Sequence, residues 1–260
     1  MTPQMVRGGG GEIAVFRRDG DSPDAATALV WAHGWGQSHR NLLPLAGAMP
    51  RTTRSYLLDL PGFGVAPPPP GAWGTADYAD AVAEWLAGVT GMRRVWVAHS
   101  FGCRVGLQLA ARHPDLLDGM FLIAAPGLPP HRSLWARARL AARRRAFRTA
   151  RLFVPEGPAR DRLRARFGSA DYQQAGALRP VLVKAVTENL SEAARAVRCP
   201  VALVYGDGDS ETPPDIGQRL TALMPQSRLI VMRGFGHLDV LTDGRHQIAQ
   251  RLTEFLEQIA

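Results

Sequence analysis

The sequence predicts an α/β fold in which helices cover both faces of a mostly parallel sheet. Short apolar segments of strand length alternate with longer segments of helical periodicity along most of the 260-residue chain, which is typical of βαβ units. Several of the short segments are almost continuously apolar, as expected for strands that are buried on both faces. The predicted strands are residues 12–17, 27–32, 55–60, 95–98, 120–124, 201–205 and 229–232.

Helical segments are predicted between these strands. Residues 76–88 and 103–113 have helical spacing, and the second of these segments follows the strand 95–98 directly. Residues 179–197 form a further helical region, with Pro180 in the first turn, where proline is tolerated. The proline run at residues 67–70 predicts an extended surface loop.

The amino terminus carries no targeting signal that we recognise. Residues 1–11 form a polar, glycine-rich lead without the apolar core of a signal peptide. No window of the chain approaches eighteen consecutive apolar residues, the length that a membrane-spanning helix requires. We therefore expect a cytoplasmic protein.

The alternation of strands and helices stops between residues 126 and 200. This stretch contains no convincing strand, and its apolar residues, Trp135 among them, are loosely spaced as in a helix. In a parallel sheet ligands bind beyond the carboxyl ends of the strands, so an insertion there would cover the site. We predict a core domain of residues 1–126 and 198–260 and a helical, arginine-rich cap at residues 127–197.

The positive charge of the chain is concentrated in that cap. Residues 131–168 contain twelve arginines against Glu156 and Asp161, a net +10, whereas the whole chain is +8 and the remainder therefore −2. Nucleic acid is thus not a favoured partner. A solvated helix face, an acidic macromolecular partner and peripheral contact with an anionic membrane surface remain open interpretations of the cluster.

The segment Ala-His-Ser-Phe-Gly at residues 98–102 is the strongest candidate for chemistry. It joins a predicted strand to a predicted helix, and small residues on either side allow a serine to sit on a strained turn with its hydroxyl exposed. Glycine is usual two residues before such a serine, whereas this chain has Ala98. We predict that Ser100 is a nucleophile.

A serine nucleophile needs a base, and an imidazole base needs a carboxylate to fix its tautomer. Asp209 and His237 each lie in a glycine-rich loop directly after a predicted strand, and the order Ser, Asp, His is a known arrangement of such a triad. Asp207 is the competing acid, whereas Asp239 is better explained by local turn structure. The predicted catalytic residues are Ser100, Asp209 and His237.

The segment His-Gly-Trp-Gly at residues 33–36 is the candidate oxyanion loop. Its glycines allow the backbone to turn so that the Trp35 amide can meet a developing oxyanion, together with the Phe101 amide at the helix start. A plain glycine turn is the alternative. We also expect the side chains of His33, Trp35, Phe101 and, from the cap, Trp135 to contact the substrate. For His33, ordering of the oxyanion loop and a purely structural role are the two alternatives.

Cofactors are not predicted. No His, Cys or carboxylate cluster has the spacing of a metal site, and neither a Gly-x-Gly-x-x-Gly segment after the first strand nor a phosphate-loop lysine is present. The cysteines, Cys103 and Cys199, resemble small buried apolar residues.

Taken together, these segments resemble the α/β-hydrolase superfamily. The resemblance rests on the order and spacing of residues 33–36, the segment Asp-Leu-Pro-Gly-Phe-Gly at 59–64, residues 98–102, the acid loop at 206–209 and the pair Gly-His at 236–237. It implies an eight-stranded, mostly parallel sheet with a helical cap after the sixth strand. Residues 33–36 and 59–64 also resemble those of esterases that demethylate a carrier-protein-bound pimeloyl methyl ester.

The sequence therefore predicts a serine hydrolase that cleaves a carboxylic ester through an acyl-enzyme on Ser100, with no cofactor. The substrate is expected to be a small ester, with linkage to an acyl carrier protein as an option suggested by the resemblance. Carbon–carbon bond hydrolysis and perhydrolysis by the same triad remain alternatives, because fold does not fix the reaction. The alternative that is not an enzyme is a binding protein that binds an anionic partner through the cap.

Overall fold

Eight strands form one mixed sheet within the residues that the computed structural model describes, which are 1–18, 21–129, 145, 149 and 170–260. Their spatial order is β1-β2-β4-β3-β5-β6-β7-β8. The strands are β1 (Gln4–Gly8), β2 (Gly11–Arg17), β3 (Thr27–Ala32), β4 (Thr53–Asp59), β5 (Arg93–His99), β6 (Gly119–Ile123), β7 (Val201–Gly206) and β8 (Ser227–Met232).

The strands from β3 to β8 run parallel, and β2 joins them antiparallel to β4. The predicted mostly parallel, eight-stranded sheet is confirmed. Every predicted strand is present to within two residues at each end. The strand β1 was not predicted, because it is a largely exposed edge strand without an apolar run. Residues 4–8 of the polar, glycine-rich amino-terminal segment thus pair with β2.

Helices flank the sheet on both faces. The described helices are α1 (His39–Gly47), α2 (Thr75–Leu86), α3 (Phe101–Arg112), α4 (Ala170–Gln174), α5 (Arg179–Thr187), α6 (Ser191–Ala196), α7 (Pro214–Thr221), α8 (Asp239–Thr242) and α9 (Arg245–Gln258), with short 3₁₀ turns at Pro114–Leu116 and Gly176–Leu178. None of these helices combines the length and hydropathy needed to cross a lipid bilayer.

Alternate side chains of the central strands pack into two separate hydrophobic cores, one on each face of the sheet. Val30 and Trp96 pack with residues of α2, α3 and α7, whereas Trp31 and Val97 pack with residues of α1, α8 and α9. Because successive strand side chains point to opposite faces, a strand buried on both must be apolar throughout. This explains the continuous apolar segments in the sequence.

The predicted helical region at residues 179–197 consists of two helices, α5 and α6. The chain turns at Glu188, whose backbone is extended and whose carboxylate accepts hydrogen bonds from the Thr75 amide, at 3.0 Å, and from the Thr75 hydroxyl. A contact between segments more than a hundred residues apart thus overrides local helical propensity.

The described carboxyl-terminal part of the predicted cap packs directly on the core. Val181, Ala185, Leu190 and Ala194 are buried in the same cluster as α2 and α3, and the Leu190 amide donates to the Gly127 carbonyl at 2.8 Å. Apart from Arg145, the arginines counted above lie outside the described residues, and the domain boundaries at 126/127 and 197/198 stay predictions.

Candidate active site

The candidate site lies where the carboxyl ends of β3, β5, β7 and β8 meet. In a parallel sheet these ends share one edge, so the loops that follow the strands converge although they are far apart in sequence. The predicted site residues of the described chain all lie in these loops or at the start of α3.

Ser100 occupies the tight turn between β5 and α3. Its φ of 46° and ψ of −106° are unusual for a residue other than glycine, and the Ser100 amide donates to the Ile123 carbonyl at 3.0 Å, which holds the turn against β6. Two residues later, the chain requires glycine at position 102, because a Cβ there would overlap the Ala32 carbonyl oxygen. The strained backbone of Ser100 therefore lies next to a close contact between α3 and the end of β3 that only glycine permits.

The side chains of Ser100, His237 and Asp209 form one hydrogen-bonded chain. His237 Nε2 lies 3.1 Å from Ser100 Oγ, and His237 Nδ1 lies 2.7 Å from Asp209 Oδ2. Since a carboxylate only accepts, Nδ1 carries the proton and Nε2 of the neutral ring is the acceptor for the serine hydroxyl. This is the tautomer that a general base for Ser100 requires.

Asp209 is almost completely buried, with 3% of its surface exposed, and each of its oxygens accepts two hydrogen bonds. Oδ1 accepts from the amides of Glu211 and Thr212, both at 2.8 Å. Oδ2 accepts from the Thr212 hydroxyl at 2.6 Å as well as from His237. Burial works against the charged form, but these bonds outweigh it and lower the pKa of Asp209.

The pKa of His237 is raised. Burial disfavours the imidazolium, but the hydrogen bond to Asp209 and its charge outweigh burial, with further contributions from the charges of Glu211 and Asp171. The protonated form of His237 is thus stabilised in place.

The other two candidate acids hold the loops rather than the base. Asp207 Oδ1 accepts from the Gly234 amide at 2.7 Å, and Asp239 Oδ2 accepts from the Gly236 amide at 2.8 Å. Both bonds fix the turn that carries His237.

The two candidate oxyanion amides follow the neighbouring strands β3 and β5. Phe101 is the first residue of α3, where an N–H group has no intrahelical acceptor. Trp35 lies in a turn that is closed by a bond of 3.2 Å from the Gln37 amide to the Gly34 carbonyl. The Gly102 amide donates to the His33 carbonyl at 3.0 Å and so joins the two loops.

His33 supports the backbone of this loop. It is completely buried, its Nε2 accepts from the Leu60 amide at 3.2 Å and its Nδ1 lies 2.8 Å from the Gly34 carbonyl. Burial lowers the pKa of His33 to about 4, so the ring is neutral. These contacts favour the structural role and leave the expected contact with substrate without support.

A cavity of about 300 Å³ opens beside the Trp35 turn. The Trp35 ring packs edge-on against Phe63 and Phe101, with centroids 4.9 and 5.5 Å apart. Trp35 and Phe63 also line the cavity, so part of its wall is aromatic. The remaining predicted substrate contact, Trp135, lies outside the described residues. The cavity is lined by Trp35, Gly36, Gln37, Gly62, Phe63, Gly64, Asp171, Gln174, Ala175 and Leu178.

His99 and Gln37 hold the loops of the site. The sequence favours packing or hydrogen bonding over a base role for His99. Its Nε2 donates to the His237 carbonyl at 3.0 Å, its Nδ1 lies 3.3 Å from Gln37 Oε1, and burial lowers its pKa to about 3. Gln37 Oε1 also accepts from the Gly34 amide at 2.9 Å. No sequence pattern marks Gln37 or Thr212, because their partners are distant in the chain or depend on one loop geometry.

The described residues contain no group of three or more His, Cys or carboxylate side chains placed to hold a metal ion. Cys103 is buried and Cys199 partly buried, both as free thiols. Burial raises the pKa of Cys199 to about 11 and that of Cys103 further. Neither thiol therefore has the thiolate character that reactivity requires.

Comparison with known proteins assigns the family. The sequence pattern of the alpha/beta hydrolase family matches residues 29–251. The chain belongs to the alpha/beta hydrolase family. The predicted resemblance and fold class are thereby confirmed, as is the prediction of a hydrolytic enzyme.

Curated relatives of this hydrolase extend over most of its length. It is 28% identical over 253 residues to the pimeloyl-[acyl-carrier protein] methyl ester esterase of Chromobacterium violaceum, a match that covers 92% of this chain and 96% of the relative. It is 30% identical over 256 residues to the protein of the same name from Neisseria meningitidis serogroup C, covering 85% and 90%.

Solved structures share the fold of this hydrolase. An esterase from Exiguobacterium antarcticum superimposes with a TM-score of 0.75 at 14% identity, over 99% of this chain and all of that one. A thermophilic esterase from Thermogutta terrifontis gives 0.69 at 21% identity, over 98% and 99%.

Proposed function

We propose that this hydrolase cleaves a carboxylic ester through an acyl-enzyme on Ser100. The observation that carries the proposal is the continuous chain from Ser100 Oγ through His237 to Asp209, with distances of 3.1 and 2.7 Å, at a strained turn. A protein that only binds has no physical need for a nucleophile, a base and an acid arranged in this order.

In the first half of the reaction, Ser100 Oγ attacks the ester carbonyl while His237 Nε2 takes the hydroxyl proton. The amides of Trp35 and Phe101 stabilise the oxyanion of the tetrahedral intermediate. When the intermediate collapses, the carbon–oxygen bond to the alcohol breaks, and His237 gives its proton to the leaving alcohol. The acyl group remains esterified to Ser100.

In the second half, water attacks the acyl-enzyme and gives its proton to His237. Collapse of the second intermediate returns this proton to Ser100 Oγ and releases the carboxylic acid. Asp209 holds His237 in the required tautomer throughout and stabilises the imidazolium, but does not itself take the proton.

We further propose a methyl ester linked to an acyl carrier protein as the substrate. Support comes from the two pimeloyl-[acyl-carrier protein] methyl ester esterases described above, which match over 85% or more of this chain. The net charge of +10 at residues 131–168 supports an anionic macromolecular partner, because complementary charge accelerates encounter.

The test is labelling by an organophosphonate ester probe and hydrolysis of methyl butyrate, with the wild type and Ser100→Ala. We expect Ser100→Ala to lose both labelling and hydrolysis. Ser22→Ala is the matched control, because Ser22 precedes β3 and so lies at the opposite edge of the sheet; it should behave as the wild type. Labelling of Ser100→Ala at the wild-type rate would overturn the proposal.

A further inference from the structure

The side chain of Glu211 lies beside the proposed base on the side of the reaction centre. Glu211 Oε2 is 3.8 Å from His237 Nε2, the same nitrogen that lies 3.1 Å from Ser100 Oγ. The Glu211 side chain is 63% exposed, yet its amide donates to Asp209 at 2.8 Å. The acid loop therefore fixes the backbone that presents this carboxylate to the site.

A second carboxylate approaches from another element. Asp171 lies in the first turn of α4 and lines the cavity beside Trp35 and Gln37. Its charge, like that of Glu211, acts on His237. Neither carboxylate takes part in the proton transfers described above, so their presence at the site calls for another explanation.

The reaction itself supplies one, because it changes the charge of the ligand. A neutral ester and water give an alcohol and a carboxylic acid, and the acid loses its proton to solvent at neutral pH. The carboxylate product forms on the carbon bound to Ser100, and Ser100 Oγ and Glu211 Oε2 both lie next to the same nitrogen, His237 Nε2. Two carboxylates so placed repel each other, whereas the neutral ester is not repelled.

We propose that Glu211 is a specificity-determining residue that disfavours binding of the anionic acid product and of ligands with an anionic group next to the scissile bond. Asp171 reinforces the same effect from the cavity side. The inference rests on the proposed function, since it needs the reaction centre at Ser100. It deepens that function by assigning the enzyme to esters that are uncharged at the cleaved end.

The test compares butyrate with the neutral isostere butyramide as ligands of the wild type and of Glu211→Gln. We expect the substitution to tighten butyrate binding about three- to tenfold relative to butyramide at low ionic strength, since one charge is removed at short range in a partly solvated site. This gain should shrink at about 500 mM salt, where screening is stronger. Glu257→Gln, an exposed position on α9, is the control and should leave the ratio unchanged.

Dissociation constants from calorimetry and inhibition constants against methyl butyrate hydrolysis give two independent readouts. An unchanged butyrate-to-butyramide ratio in Glu211→Gln, or the same change in Glu257→Gln, would overturn the inference. Failure of the proposed function would appear differently, as absence of ester hydrolysis or of Ser100 labelling in the wild type, while the ligand ratio can still be measured by calorimetry.

Discussion

Thr212 supports the acid at two points. Its amide and its hydroxyl each donate to a different oxygen of Asp209, at 2.8 and 2.6 Å, and the hydroxyl oxygen also lies 3.2 Å from His237 Nδ1. Because Asp209 is buried, every donor that it loses leaves a charged lone pair without a partner.

Replacement of Thr212 by valine removes the hydroxyl with little change in shape. We expect Thr212→Val to lose about 1–3 kcal/mol of unfolding free energy, the range for a hydrogen bond to a charged group, and to lower kcat about tenfold, since a 1.4 kcal/mol change in the barrier has that effect. Chemical denaturation and steady-state kinetics measure the two effects. Thr212→Ser keeps the hydroxyl and should recover most of the loss; equal defects in both variants would show that the hydroxyl is not responsible.

The pKa of His237 sets the acid limb of the pH profile. His237 must be neutral to accept the Ser100 proton, so kcat/KM falls as the pH drops through its pKa. Since that pKa is raised above the usual 6.5, the midpoint should lie above pH 6.5. Among the described residues, the groups that interact with the ring include Asp209, Glu211, Thr212, Asp171, His99 and Ser100.

Glu211→Gln removes one charge that raises this pKa. We therefore expect the acid limb of kcat/KM to move to lower pH in Glu211→Gln, and not in Glu257→Gln, when measured between about pH 5 and about pH 8. A shift to higher pH would contradict the electrostatic role of Glu211.

The junction of β5 and α3 depends on the contact of Gly102 with β3. A Cβ at this position would overlap the Ala32 carbonyl oxygen, so either α3 or the end of β3 must move. Movement of either element displaces Ser100 relative to His237 or the Phe101 amide relative to the Trp35 amide.

Gly102→Ala tests this packing. We expect a loss of about 1–3 kcal/mol in unfolding free energy, as for overpacking in a core, and a larger than tenfold fall in kcat, since small misplacement of reacting groups is costly. Thermal denaturation and kinetics at saturating ester provide the measurements. Gly71→Ala serves as control because a Cβ there meets nothing within 4 Å; wild-type kcat in Gly102→Ala would refute the packing argument.

The charge distribution of the whole molecule predicts how it meets a large substrate. With +10 concentrated at residues 131–168 and −2 elsewhere, that segment should attract an anionic carrier. We expect kcat/KM for a carrier-linked methyl ester to fall as salt rises from about 50 to about 500 mM, because screening shortens the reach of the charges. Methyl butyrate is the control, and its kcat/KM should change little with salt. If kcat/KM for the carrier-linked ester is also independent of salt, the arginines do not attract the carrier and are only solvent-exposed surface residues.

Much of the fold could be predicted from sequence, because strands buried on both faces must be apolar throughout. The edge strand β1 was not predicted, because its pairing with β2, and not its own composition, makes it a strand. The break between α5 and α6 was not predicted for a similar reason. Glu188 binds Thr75, which is distant in the sequence.

The sequence by itself determined which chemical groups stand at the ends of which strands: Ser100, Asp209 and His237 could be named from local patterns of strand, glycine turn and functional residue. Only the tertiary structure decided that Asp207 binds the Gly234 amide, that Gln37 supports the Gly34 and His99 contacts, and that Glu211 lies beside His237. The physical reason is that hydrogen bonds and charge interactions act over a few ångströms. Which groups come that close depends on how the loops are folded, and no spacing in the chain encodes that distance.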